Sequence, residues 1–341
     1  MRTLRLGRTN LDVSAVGLGG IQFSKITPRE VSQVVAAARD EGINFFETAH
    51  GYFDSEAKIG RALGKRRMGI VLASKNGAHD GLSFTEQLDS SLRRLKAERI
   101  ELYQLHGVDS KEALAQALGP RGAVEAARRA IEQGKIGSLG ITSHSMDICL
   151  HVLELDLFDS IQYPISLVNT EVPRSGLLKQ ARQKDVGLIA MKPLGGGRID
   201  DARLALGYVY QFEGVVPVVG VETPRQVRQL AKLAARPPKL TKADTAAMEK
   251  IRKAVGKFFC RACRYCEPCP QAIAIFKVLY FPVYVKQMGQ ERFLASGLPD
   301  FLRKAMTCTL CRQCEQRCPF KLKIIDGMKA SIELAEELMK R

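Results

Sequence analysis

Two hydrophobic patterns alternate along this chain. Apolar runs of four to eight residues, the length of a buried strand, each precede an amphipathic segment of ten to twenty, the length of a surface helix. AVGLGG leads into TPREVSQVVAAARDEG, NFFETAH into SEAKIGRALG, GIVLASK into SFTEQLDSSLRRLKA, and IELYQLHG into KEALAQ continuing to AVEAARRAIEQG. The second half repeats the scheme with IGSLGITSH and SMDICLHVLELDLF, SIQYPI and GLLKQARQKD, GLIAMKPLG and DARLALGYVYQF, VVPVVGV and TPRQVRQLAKLAA. Eight strand-helix units therefore lie between Val13 and Ala235, with Ser or Thr expected at helix starts, as at Thr27 and Ser55. Two short strand-like runs around Gly7-Arg8-Thr9-Asn10 predict a β-hairpin ahead of them.

Eight parallel units in about 225 residues predict an α/β fold, a closed (β/α)8 TIM barrel. A doubly wound sheet is the competitor. Its fingerprint is missing, because Gly17-Leu18-Gly19-Gly20 does not complete a G-x-G-x-x-G and no acid occupies the ribose position. Pro237 and Pro238 break the last barrel helix, which divides the chain into a barrel over 1–238 and a second domain over 239–341. The second domain reads as helical at 241–255, 271–288, 290–304 and 325–340, with two cysteine runs between.

Composition adds three points. Hydrophobic residues at 45% and charged residues at 26% are ordinary for a globular chain. No apolar run approaches the roughly 18 residues of a membrane span, and the first ten residues lack a signal-peptide core, so a cytoplasmic location is expected. The net charge of +16 is concentrated late, with 19 Lys and Arg against 10 Asp and Glu from Thr241 onward and 33 against 26 before it. The basic residues are scattered, Trp is absent and no recognition motif appears, which argues against nucleic acid. The charge instead suits an acidic redox protein as partner, or a cofactor carrying negative charge. Eight of the nine cysteines follow Phe259, and such clustering without a secretory signal argues for metal; Cys149, in the apolar stretch 146–155, reads as a buried thiol.

In a barrel the chemistry belongs to the loops after the strands. The second strand ends in Glu47 with Tyr52 five residues on, the third in Lys75 and the fourth in His106. Singly, a paired lysine and a satisfied core histidine are unremarkable. Together at adjacent strand ends they describe a proton donor: an ammonium stabilises the phenolate of a Tyr whose unperturbed pKa is near 10, and an imidazole orients or relays the proton. Two places suit phosphate, the Gly195-Gly196-Gly197 loop after the seventh strand and residues 220–226 leading into the eighth helix.

Taken together, FFETAHGYFDSE, LASK, LYQLHG, LGITSH, IQYP, KPLGGG and VPVVGVETPRQV make residues 1–235 resemble the aldo-keto reductases. The resemblance implies Tyr52 as general acid, Lys75 as the partner that lowers its pKa, His106 as the carbonyl-orienting or relay group, and Glu47 as the carboxylate paired with Lys75. It implies cofactor contacts at Ser143, His144 and Gln162 for the nicotinamide, at Lys192, Pro193, Leu194, Gly195 and Gly197 after the seventh strand, and at Gly220, Thr223, Arg225 and Gln226 after the eighth. NADP is favoured over NAD through Arg225 or Arg228, although neither matches the family's usual Arg position. Three departures stand out: Glu47 replaces the family's Asp, Ser143-His144 replaces Ser-Asn, and the cysteine domain replaces the long C-terminal loop.

Cys260, Cys263, Cys266 and Cys269, followed by Pro270, and Cys308, Cys311, Cys314 and Cys318, followed by Pro319, have the spacing of two 4Fe-4S clusters. In two-cluster ferredoxins the fourth cysteine of each run serves the other cluster, which groups Cys260, Cys263, Cys266 with Cys318 and Cys308, Cys311, Cys314 with Cys269. Helical material between the runs resembles all-helical ferredoxin-like modules of respiratory and heterodisulfide reductases. The expected protein is an NAD(P)H-dependent oxidoreductase that reduces the carbonyl of an aldehyde, ketone or quinone and carries an iron-sulfur electron-transfer domain. Clusters pass single electrons whereas nicotinamide gives a hydride. Two alternatives follow: a flavin-linked redox enzyme fed by the clusters, and an electron-transfer or docking subunit whose barrel no longer performs hydride chemistry.

Overall fold

The structure is a computed structural model that describes residues 1–65, 67–256, 259–295 and 297–340. They form two compact units, Met1–Asp244 and Thr245–Arg341.

The first unit opens with an antiparallel hairpin, β1 (Thr3–Arg5) and β2 (Asp12–Ser14), in which Leu4 faces Val13. Its turn is a short 3-10 segment, Gly7–Thr9, closed by Asn10 in the left-handed region. Gly7 is required there, since a Cβ would lie 2.3 Å from the backbone nitrogen of Gly187.

Eight parallel strands follow: β3 (Gly17–Gly19), β4 (Phe45–Glu47), β5 (Val71–Asn76), β6 (Ile100–Leu105), β7 (Ile136–Thr142), β8 (Ser160–Pro164), β9 (Gly187–Met191) and β10 (Val215–Gly220). They close in sequence order, β10 pairing back onto β3. The predicted (β/α)8 barrel is therefore the observed one. Its floor is apolar: Leu6 and Val13 from the hairpin pack with Phe45, Val71, Leu102 and Val216 in one buried cluster.

The crossover helices are α1 (Pro28–Asp40), α2 (Ser55–Leu63), α3 (Gly81–Leu95), α4 (Lys111–Leu118), α5 (Ala123–Glu132), α6 (Met146–Leu155), α7 (Leu177–Gln183), α8 (Ala202–Val209) and α9 (Pro224–Ala235). Thr27 and Glu30 form the expected reciprocal cap of α1, and Thr223 with Gln226 does the same for α9. Ser55 does not cap α2. Its hydroxyl instead donates to the Gly20 carbonyl at 2.7 Å, and the neighbouring Glu56 is buried, accepting from Ser74 at 2.6 Å, so both pin the helix to strand ends. The fourth crossover, read as one continuing segment, is two helices: Pro120, left-handed Arg121 and Gly122, whose Cβ would strike the Ala117 carbonyl at 2.4 Å, interrupt it. Cys149 is fully buried on α6, and burial raises its thiol pKa.

Helix α9 ends at Ala235, before the two prolines, but the chain stays with the barrel until Asp244. Leu240 and Pro238 lie against Gly207 on α8, and Arg203 pairs with Asp244, which also bonds to Thr241. The second unit is helical among the described residues: α10 (Lys242–Gly256), which begins at the end of the first, then α11 (Ile275–Met288), α12 (Glu291–Leu294), α13 (Asp300–Ala305), α14 (Gln313–Arg317) and α15 (Ile324–Met339). Its core joins Val278 and Phe281 of α11 to Leu302 of α13 and Ile325 and Met328 of α15. The helix expected over 290–304 is broken by Gly297, with φ of 86°, and Pro299; Ser296 lies outside the described residues. Among the described residues no helix is long and apolar enough to cross a membrane.

The floor is remote from the loops after the strands, so stability and chemistry should separate there. Leu6→Ala is expected to cost about 2–5 kcal/mol in urea unfolding while leaving ligand affinity at the strand ends unchanged.

Candidate active site

The carboxyl ends of β4, β5 and β6 bring the four expected residues together. Thr48 and His50 continue the backbone pairing of β4 past its end, their N–H groups donating to Ala73 and Lys75 carbonyls at 2.9 Å. The chain then turns through Tyr52, whose carbonyl accepts from the Ser24 hydroxyl at 3.0 Å, and Phe53 in the left-handed region. This turn swings the Tyr52 ring back over the strand ends. The Lys75 ammonium lies 4.8 Å from its centroid, and the His106 ring meets it edge-on with centroids 5.7 Å apart.

Lys75 is 2% exposed, and a lone ammonium at that depth would lose most of its hydration. It donates to Glu47 Oε1 in a short contact and to the Thr48 carbonyl at 2.7 Å. Burial lowers its pKa and the Glu47 carboxylate opposes that shift. His106 is pushed well below its ordinary value, first by burial and then by the positive Lys75 nearby. It is therefore a neutral imidazole in the working range, able to donate from one nitrogen and accept at the other.

Glu47 has a second partner besides Lys75. The Gln162 amide donates to Glu47 Oε1 at 2.8 Å, and its own carbonyl accepts from Gln104 Nε2 at 2.8 Å. Gln162, expected to serve the nicotinamide amide, is thus engaged inside the barrel, held by a Gln104 that the sequence reading did not single out. His144 is also engaged. Its backbone N–H donates to Asp109 Oδ1 at 2.7 Å, its Nδ1 lies 3.3 Å from Asp109 Oδ2, and Lys192 Nζ lies 2.8 Å from its Nε2. An ammonium can only donate, so Nε2 accepts and the ring proton is assigned to Nδ1, facing Asp109. Ser143 donates to the same carboxylate at 3.2 Å. Asp109 was missed because an acid two residues beyond a strand-end glycine carries no distinctive spacing.

The remaining cofactor candidates lie on the neighbouring loops after β9 and β10. Lys192 is left-handed, and so are Gly195, Gly196 and Gly197, with φ of 59°, 68° and 86°. The loop curls so that the Gly197 N–H returns to the Leu194 carbonyl at 3.0 Å, with Pro193 at its start. At the end of β10, Gly220 faces Gln22 so closely that a Cβ would lie 1.8 Å from Oε1, a buried oxygen without a hydrogen-bond donor. Thr223 and Gln226 are occupied in the α9 cap, and Arg225 is exposed. A run of glycines in the left-handed region, a buried acceptor without a donor and an exposed Arg on adjacent loops fit the phosphates and amide of a dinucleotide.

In the second unit the two cysteine runs fold alike. Ala262 and Arg264 around Cys263 are left-handed, as are Leu310 and Arg312 around Cys311; Ala272 and Lys321, each three residues past the last cysteine of a run, are left-handed too. Equivalent bonds repeat as well, Ala272 N–H to the Cys269 carbonyl at 2.8 Å and Lys321 N–H to that of Cys318 at 3.1 Å. Left-handed conformation is uncommon without glycine, and six such residues in register mark loops wrapped around a point. Cys260, Cys263, Cys266 and Cys318 line one cavity; Cys269, Cys308, Cys311 and Cys314 line another, with Cys266 at its wall. Among the described residues no three such ligands gather closely enough for a single ion.

The model of the aldo/keto reductase family matches residues 15–204. The chain is 29% identical to a 6-dehydroglucose reductase from Novosphingobium aromaticivorans over 223 residues, 59% of this chain and 71% of that protein. It is 30% identical over 205 residues to aldo-keto reductase str7 from Strobilurus tenacellus, 54% of this chain and 59% of that one. With L-galactose dehydrogenase from Arabidopsis thaliana it shares 29% identity over 214 residues, 58% of this chain and 66% of the relative. For the last two the match falls short of two thirds of the relative's length. Among solved structures, the holo form of an aldo-keto reductase from Bacillus halodurans superposes with a TM-score of 0.64 at 23% identity, covering 74% of this chain and 96% of that one, a likeness of fold.

The neutral His106 carries a pH signature. With its folded-state pKa depressed, the unfolded chain binds the proton that the fold refuses, so stability is full above the ordinary value of 6.5 and declines as pH falls below it. In urea unfolding between about pH 7.5 and 5, His106→Gln should flatten that decline without abolishing it, because burial and Arg94 depress His50 in the same direction.

Proposed function

This chain belongs to the aldo/keto reductase family and is an oxidoreductase, and we propose that it reduces the carbonyl of a small aldehyde, ketone or quinone at Tyr52 with NADPH. The observation that carries the proposal is the Tyr52 ring set between a buried ammonium and a neutral imidazole. The family generally uses NADP(H), which when bound supplies a hydride. The chain's own part is the proton. Tyr52 delivers it to the carbonyl oxygen, Lys75 stabilises the phenolate left behind, and His106 orients the carbonyl through its N–H. Glu47 and the Thr48 carbonyl hold Lys75 in place. The loops after β9 and β10 take the phosphates, and His144, steadied by Asp109, takes the place of the family's Asn beside the nicotinamide.

For the second unit we propose a ferredoxin-like domain with two 4Fe-4S clusters, one on Cys260, Cys263, Cys266 and Cys318, the other on Cys308, Cys311, Cys314 and Cys269. The two cysteine-lined cavities and the repeated loop conformation support it. Bound clusters supply one-electron transfer, and the basic charge of this part suits an acidic redox protein as partner. The domain division and a cytoplasmic location belong to the same reading. One observation favours a second reading, an electron-transfer subunit with a retired barrel: Gln162 is tied to Glu47 and Gln104.

The two readings separate on activity. NADPH oxidation against aldehydes, sugars and quinones should fall about 10²–10⁴-fold in kcat/KM in Tyr52→Phe with NADPH affinity retained; wild-type rates in that variant would leave only the second reading. Sugars belong in the panel because two of the similar proteins are named for sugar chemistry. Anaerobically purified protein should hold about eight iron and eight sulfide per chain. Cys318→Ser should perturb the same electron paramagnetic resonance signal as Cys260→Ser, and a shared signal with Cys308→Ser instead rejects the crossed ligand sets.

A further inference from the structure

Of the eight cysteines in the second unit, Cys311 is exposed, whereas Cys318 is buried and the other six are intermediate. The two cavities are about equally open, and they differ in the residues at their rims. Over the first, the Arg261 guanidinium stacks 3.8 Å from the Phe320 ring and Arg264 lies 5.1 Å from that of Phe276, and all four side chains line the cavity. The second opens beside Cys311 onto an exposed stretch. Met306 is 57% exposed and Leu310 51%, large apolar side chains within five residues of the thiol.

Exposed basic residues lie near these two in the chain. Arg303 and Lys304 on α13 are exposed, and so are Arg312 and Arg317. The Arg317 guanidinium donates to the Pro268 carbonyl at 2.8 Å, which ties this stretch to the first cysteine run where Pro268 lines the second cavity. The acids between Asp300 and Arg317 are those two groups at positions 300 and 315, each already bonded to an Arg: Asp300 to Arg303, Glu315 to Arg312 at 3.4 Å. Four cations against two paired acids leave the stretch net positive. A small apolar centre with a charged rim is the anatomy of transient redox encounters, in which steering brings partners together and little area is buried.

We propose that this face docks a small acidic one-electron carrier protein, which exchanges electrons with the cluster held by Cys269, Cys308, Cys311 and Cys314. The inference rests on the two-cluster reading above and deepens it by assigning the outer cluster and its partner. Electron tunnelling falls steeply with distance, so a carrier must approach the cluster where protein cover is thinnest, at Cys311. Leu310 and Met306 meet the carrier's apolar surface around its redox group, and Arg303, Lys304, Arg312 and Arg317 meet its carboxylates. In the step itself the reduced carrier loses one electron and the oxidised cluster gains one; no bond or proton changes hands. The cluster behind the stacked Arg261 and Arg264 is then the inner one.

The test uses the full chain, purified anaerobically, with an acidic flavodoxin as probe and binding measured by calorimetry at low and high salt. Wild type should bind at low ionic strength and weaken as salt rises. Lys304→Glu/Arg312→Glu should weaken low-salt binding at least about tenfold when compared with wild type at equal iron and sulfide content. Because Arg312 neighbours a cysteine, Arg303→Glu/Lys304→Glu on α13, outside the cysteine run, serves as the second variant and should weaken binding in the same direction. Wild type that fails to bind with both clusters in place, or variants that bind like wild type at every salt concentration, overturns the docking face alone. Wild-type protein without iron and sulfide overturns the cluster reading beneath it.

Discussion

The barrel mouth is organised by one buried ion pair. Lys75 sits on β5 at a depth where its charge survives only because Glu47 on the next strand and the Thr48 carbonyl accept from it. An ammonium fixed this way is a positive point of known position in a poorly solvated place, where its field on neighbours is strong. Tyr52 and His106 are the neighbours. The same charge lies over the Tyr52 ring and, after burial itself, disfavours a second cation on His106, whose imidazole stays neutral.

Glutamate at position 47 extends that pair into a longer chain. With one more methylene its carboxylate meets both Lys75 and the Gln162 amide, and Gln162 in turn holds Gln104. The four side chains lock one another, so the polar layer at the mouth is more rigid than an isolated ion pair and no longer leaves Gln162 to a ligand. His144 is engaged in the same way: Asp109 and Lys192 grip its two ring nitrogens, giving it a single orientation past the end of β7. Specificity at this mouth is set by which polar groups are already engaged, since an engaged donor must lose a partner to gain one.

The second unit solves a different problem. The two cysteine runs turn through left-handed residues at matching positions, Ala262 with Leu310, Arg264 with Arg312, Ala272 with Lys321. None of these is glycine, and cysteines of both runs pack against the apolar core of α11, α13 and α15.

How much of this was legible in the chain follows from the range of each interaction. Strand and helix periodicity, the reciprocal cap at Thr27 and Glu30, the hairpin turn at Gly7 and the cysteine intervals all act over a few residues, and the barrel with its polar strand ends could be read from them. The sequence by itself determined which residue types stand at the ends of β4, β5 and β6. Only the tertiary structure decided how they are engaged, because those contacts join residues far apart: Glu47 with Gln162, Asp109 with His144 and Lys192, Arg203 with Asp244, the pair that carries the barrel unit past Pro238. A side chain's periodic position tells which face it takes, but which partner satisfies its polar atoms is settled only when the strands close and the loops meet.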